Sequence, residues 1–285
     1  MVDAIQFAFD ILSFISVMVL VVLGLGIIAS MMGIFNFAHG EFVLLGGFTV
    51  FMVADAGHNA WWGIALAPIV VGLLGLVVER AFVRRFYAAP ASAILGTYAI
   101  GLVIRETVRT FLGGHYESVP EPWPDFVTIG AISFSAWRSF IIAVTIVVIG
   151  GSWIFLTKTS TGLKIRGSLE NPMLARVCGI STARVYALTF AFGSALAGLA
   201  GALIVPLYQL SADMGLRFLV QSFLSVMVGG VGTFEGPVLG AITVGALVAG
   251  LPWLAPPVLA DPVALLIALL IVKVRRQGLI SRGRK

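Results

Sequence analysis

Charge is scarce in this sequence. Only 11% of its 285 residues are Asp, Glu, Lys or Arg, against about 25% in an ordinary soluble domain. That deficit excludes a large water-soluble fold. One cysteine, Cys178, is present; it cannot form an intramolecular disulfide or a multi-cysteine metal site. Histidine is nearly as sparse, with three residues (His39, His58 and His115). None stands near a nucleophile or a second ligand at useful spacing, so a membrane-embedded enzyme using His39 is a weak reading and no metal site is expected. The opening residues MVDAIQFAFD lack a basic stretch, which argues against a cleaved signal peptide and makes the first apolar run a retained span. No lysine follows the glycines at Gly229–Gly236, so the phosphate-cradling loop that they superficially resemble is rejected.

What is abundant is apolar sequence. Hydrophobic residues make up 59% of the chain, and its mean hydropathy is +1.06. They fall in runs, several reaching the about 18–20 residues that cross about 30 Å of hydrocarbon as a helix. A chain at that depth must pair its own backbone groups, and runs of helical length select a helix bundle over a barrel. The expected architecture is therefore all-α: one transmembrane domain over residues 1–285, a polytopic bundle of about 8–9 spans. The runs are Ile11–Met32, Phe42–Val53, Gly63–Val78, Ser92–Leu112, Ser139–Leu156, Tyr186–Leu207, Phe218–Val228, Val238–Leu254 and Pro262–Val272. Two places could be re-entrant, the polar break near Asn36 and the short seventh run; either would reduce the count to eight and move the N-terminus inside.

The net charge of +5 does not point to nucleic acid, because the basic residues cluster at span ends. Arg80, Arg84 and Arg85 follow the third run. Lys158, Lys164, Arg166, Arg176 and Arg184 surround the loop at 158–185, and six more occupy the tail KVRRQGLISRGRK. The positive-inside rule makes these three places cytoplasmic, and with them the C-terminus. The segment 113–138 then lies outside; Pro120, Pro122 and Pro124 forbid a regular helix in its middle.

Four groups of residues stand out against this background. Asn36, His39 and Glu41 lie between two apolar runs, where polar groups are costly unless paired or facing water. They are read as a solvated turn, as helix packing, or as contacts along a substrate path; Asn36 and His39 would share a helical face. Arg105, Glu106 and Arg109 are either snorkelling residues at a span end or an internal ion pair. In the central loop, Glu170 precedes Asn171 as helix cap and Pro172 at the first turn. A helix to Cys178 would pass Arg176 and stop at Gly179, with Ser181 or Thr182 capping the next span. Such a short amphipathic helix suits docking into a partner's groove, or lying on the membrane; spacing leaves both open. Finally, Gly193, Ala197 and Gly201 form a small-residue face that permits close helix packing.

Three blocks carry a family resemblance: GIIASMMGIFNFAHGEFVLLGGF, ENPMLARVCGISTARVYALTFAFGSALAGLAGAL and GGVGTFEGPVLGA. In content and order they resemble the inner-membrane permeases of branched-chain amino acid ABC importers, of the LivH type. The resemblance implies a non-catalytic subunit that forms a translocation path across the inner membrane. It also implies a LivM-type second permease, two cytoplasmic ATPases carrying the ATP and Mg, and a periplasmic solute-binding protein. No cofactor is expected on this chain. By the same resemblance, Glu170 to Ile180 is the loop that meets the ATPase. Permeases for urea and short amides share the pattern and remain an alternative. A secondary transporter driven by an ion gradient is the rival from another class; it would call for ionisable residues in mid-span.

Overall fold

Every apolar run becomes a helix. A computed structural model of the chain describes residues 2–87, 89–129, 132–254, 256–275 and 277–280. The helices are α1 (Val2–Met32), α2 (His39–Asp55), α3 (Ala60–Ala81), α4 (Pro90–Leu112), α5 (Ala136–Lys158), α6 (Ser160–Glu170), α7 (Pro172–Val177), α8 (Thr182–Ile204), α9 (Met214–Gly229), α10 (Glu235–Gly250) and α11 (Pro257–Val274). Short 3-10 turns follow α3 and α10. Among the described residues, six helices are long and apolar enough to cross a membrane: α1, α3, α4, α5, α8, and α10 with its 3-10 extension. At 17 and 16 residues, α2 and α9 reach only about 25 Å.

The boundaries follow local chemistry. Asn59, Ser135, Thr159 and Asn171 each accept a backbone N–H with the side chain, opening α3, α5, α6 and α7. Gly113, at φ +61°, closes α4. The proline-rich part of the 113–138 segment is irregular, as expected, but two features were not. A two-stranded antiparallel hairpin, β1 (Phe126–Ile129) and β2 (Ile132–Ser135), precedes α5. The helix then starts at Ala136, inside the expected loop, because Ser135 caps it there. Glu117 and Leu210 exchange backbone hydrogen bonds at 2.9 and 2.8 Å, pinning this loop to the α8–α9 link.

The centre of the bundle is α8, which packs against α1, α2 and α3. Small residues let the backbones approach. A β-carbon on Gly193 would meet the Gly24 carbonyl oxygen of α1 at 2.7 Å, and one on Gly201 would strike the Val43 carbonyl of α2. Ala197, between them, is fully buried. The expected small-residue face is therefore a double seam against α1 and α2. A further face, unforeseen, carries Ser194 and Gly198 against Gly75 and Val71 of α3.

Outward-facing side chains are apolar. Ile69, Leu73 and Val77 of α3, and Ile146, Val147 and Ile154 of α5, are exposed. That inversion suits lipid or a second membrane subunit rather than water. The hairpin lies at the α1/α5 N-terminal end of the bundle, and α6 and α7 lie at the other.

Candidate functional site: a buried polar centre and a two-helix arm

The chain turns at Gly33, whose φ of +67° favours glycine. It then doubles back into the bundle through residues 34–38. His39, the first residue of α2, places Nε2 2.8 Å from the Val21 carbonyl oxygen. Val21 is eleven residues before the end of α1, so α2 starts about 16 Å inside that end. Irregular backbone at this depth is tolerated only when enclosed in protein, and here it is enclosed. Asn36, His39 and Glu41 are 0%, 0% and 1% exposed.

The polar groups of this re-entrant turn are held by the turn itself, by α1 and by α4. The Asn36 side-chain oxygen accepts the Ala38 N–H at 3.0 Å. Asn36 thus precedes the helix and caps a turn, rather than sharing a helical face with His39 as its spacing had implied. The Phe37 N–H donates to Thr97 Oγ1 of α4 at 3.0 Å. Glu41 forms an ion pair with Arg105 of α4. Gly40 lies against Gly215 at the start of α9, so closely that a β-carbon on either would overlap the other's carbonyl. Among the described residues, Asn36 Nδ2, His39 Nδ1, Glu41 Oε2 and Arg105 Nε find no hydrogen-bond partner.

The two sequence readings of Arg105, Glu106 and Arg109 divide between the residues. Arg105 is the internal ion pair and is 8% exposed. Arg109 sits at the surface, 2.7 Å from Asp213 and 3.4 Å from Glu106. The pairing of Glu41 with Arg105 spans 64 positions, and no periodicity in the sequence could have revealed it.

At the other end of α5, the 158–185 segment is more ordered than a loop. α6 was not foreseen. It turns sharply off α5, with Gly162 pressed against the Phe155 and Leu156 carbonyls, and Ile165 joins Leu23, Ile27 and Met31 of α1 in one apolar cluster. The short second helix matches expectation closely. Asn171 Oδ1 accepts the Leu174 N–H at 2.9 Å, Pro172 is its first residue, and Gly179 at φ +78° ends it. Ser181 opens α8 without a side-chain hydrogen bond. Only Ala175 of α7 is buried; Met173, Leu174 and Val177 are 74%, 58% and 83% exposed. Glu170, Asn171, Arg176 and Gly179 surround them, also exposed.

A line of contacts that the sequence did not disclose ties this arm to the bundle. Tyr186 of α8 donates its hydroxyl to the Ser168 carbonyl of α6 at 3.4 Å. Its ring meets the Tyr87 ring edge-on at 5.1 Å, and the Tyr87 hydroxyl donates to Glu79, fully buried at the end of α3. Burial and the Glu79 carboxylate push the Tyr87 hydroxyl well above its ordinary pKa. The only hint in the sequence was an acid embedded in a basic cluster.

The glycines at 229–236 make a tight corner. Gly230 and Gly232 have φ of +95° and +98°. The Thr233 hydroxyl accepts the Gly236 N–H at 3.1 Å. The chain beyond α11 folds back onto this corner, with the Leu279 N–H 2.9 Å from the Val228 carbonyl. Residues 281–285 of the basic tail lie outside the described residues.

A helix bundle with a re-entrant polar centre and an apolar outer surface has the build of a multi-pass membrane protein. The chain belongs to the family of the branched-chain amino acid transport system permease component, whose model matches residues 7–273. It is similar to the high-affinity branched-chain amino acid permease protein LivH of Escherichia coli K12, at 24% identity over 92% of this chain and 91% of that one. It is also similar to the guanosine ABC transporter permease protein NupQ of Bacillus subtilis, at 27% identity over 65% of this chain and 61% of that one. Among solved structures, a chain of PsaBC from Streptococcus pneumoniae in complex with Fab shares the fold. It has a TM-score of 0.51 and 13% identity, covering 99% of this chain and 95% of that chain. The protein is thus a multi-pass permease subunit of an ABC importer of the bacterial inner membrane, a class that works with ATPase and solute-binding partners.

Proposed function

We propose that this subunit, beside a LivM-type permease, forms the path by which branched-chain amino acids cross the inner membrane. Two cytoplasmic ATPases hold the ATP and Mg, and a periplasmic binding protein delivers the solute. The C-terminus and the 158–185 arm are cytoplasmic, and the 113–138 segment is external. Glu170, Asn171, Pro172, Arg176 and Gly179 form the ATPase-coupling element. The observation that carries this reading is the exposed apolar face of α7, capped at one end by Asn171 and stopped at the other by Gly179. A surface of that kind fits a groove on a soluble partner.

Transport then proceeds by alternating access. ATP-driven closure of the ATPases moves α7. The Tyr186, Tyr87 and Glu79 contacts carry that movement to α3, and the seams of Gly193, Ala197 and Gly201 carry it to α1 and α2. Such a partner shifts the equilibrium only by binding the two states differently, so α7 must meet the ATPase differently in each. Asn36, His39 and Glu41 border the substrate path once α2 and α9 separate; their spare polar atoms then face the solute. The test is Gly179→Trp in the assembled importer. Loss of uptake, or loss of ATPase co-purification, is expected. Normal uptake with a normally bound ATPase contradicts the assignment.

A further inference from the structure

At the hairpin end of the bundle, away from the coupling arm, a cavity of about 220 Å³ opens between α1, α5, α10 and the α8–α9 link. Its α1 wall is Asp10, Ser13, Phe14 and Val17, spaced so that all four share one helical face. Arg138 of α5 reaches across it and places Nη1 2.8 Å from Asp10 Oδ1. Both side chains remain partly open, at 42% and 37% exposure, so the pair adds little to stability and exchanges partners readily. Deeper in, Ser13 is only 3% exposed. Its hydroxyl and that of Tyr208, on the opposite wall, make no hydrogen bond among the described residues. Phe14, Val17, Leu207 and Ala249 supply apolar surface.

We infer that this cavity is a binding site for one zwitterionic α-amino acid with an aliphatic side chain; the inference rests on the proposed substrate class. The Arg138 guanidinium takes the carboxylate in a charge-assisted, two-bonded contact. The Asp10 carboxylate takes the ammonium group. A zwitterion entering this pair leaves each charge with a partner and adds no net charge. A solute with one charge strands either Asp10 or Arg138, which is costly where water is displaced. The Ser13 and Tyr208 hydroxyls are placed to donate to the carboxylate, and the branched side chain packs on Phe14, Val17, Leu207 and Ala249. The site would receive solute at the mouth of the path, before the buried polar centre.

The experiment uses the assembled membrane subunits, permeases with ATPases, in nanodiscs without the binding protein. Radiolabelled L-leucine should bind saturably. Leucinamide, which lacks the carboxylate, and 4-methylpentanoate, which lacks the ammonium, should compete at least tenfold less well than unlabelled leucine. Arg138→Gln and Ala249→Phe should each weaken leucine binding at least tenfold while the ATPase still co-purifies. The inference is overturned by absence of saturable binding, by equal competition from both singly charged analogues, or by unchanged binding in both variants. Uptake of leucine by the complete importer, measured alongside, separates the two claims. Uptake without binding here sinks the site alone, whereas an importer that moves no aliphatic amino acid sinks the substrate class.

Discussion

Replacing Glu41 with leucine is the sharpest probe of the buried centre. The Glu41 and Arg105 side chains are 1% and 9% exposed, and they join α2 to α4 at a depth where water does not reach. Removing the carboxylate leaves a guanidinium that cannot give up its charge. An orphaned buried charge costs about 3–5 kcal/mol, and an arginine at the centre of a membrane span costs about 2.5–3.5 kcal/mol. Both routes give a loss of about 3 kcal/mol, a fall of about two orders of magnitude in the folded-to-unfolded ratio. Arg105→Met should cost less, because a carboxyl group left alone can be neutralised by a proton. The double substitution Glu41→Leu with Arg105→Met removes both charges and should recover most of the stability. Denaturant titration of the purified chain in mixed micelles, followed by tryptophan fluorescence, reads all three. The reasoning fails if Glu41→Leu lies within about 1 kcal/mol of the parent, or if the double variant is less stable than either single one.

Three further outcomes are expected. Gly201→Val should prevent accumulation of folded protein in the membrane, because its side chain would overlap the Val43 carbonyl. Gly151→Val, at a position with no atom within 4 Å of an added β-carbon, should accumulate normally. Tyr87→Phe strips a hydrogen bond from the buried Glu79 and should reduce uptake several-fold while the ATPase still co-purifies; unchanged uptake would remove this contact line from the coupling route. In a Cys178→Ser background, Glu121→Cys should react with an impermeant maleimide in intact cells, and labelling only after lysis would reverse the orientation of the bundle.

Much of this architecture was legible in the sequence because its rules are local. Length and apolarity set the runs, all of which are helices in the structure. Asn171, Pro172 and Gly179 spelled out α7 through capping chemistry confined to nine residues. Gly193, Ala197 and Gly201 announced a packed face, since small residues at that spacing have few other uses in a membrane. Long-range partners were not legible. Nothing near Glu41 points to Arg105, nothing near Asp10 points to Arg138, and Gly24 and Gly46 gave no sign that they oppose Gly193 and Gly198. The mid-bundle start of α2 was foreseen only as one of two places where the chain could be re-entrant, because whether a polar break faces water or folds inward depends on what surrounds it. α6 was hidden by its charge: Lys164 and Arg166 read as a solvated loop, while Ile165 between them packs on α1.

Proteoliposomes carrying the complete importer, with the binding protein supplied on one side and ATP on the other, test the central claim most directly. The account predicts accumulation of labelled leucine that requires ATP hydrolysis and the binding protein, persists in the presence of a protonophore, and is lost with Gly179→Trp. Accumulation without ATP that a protonophore abolishes would contradict it.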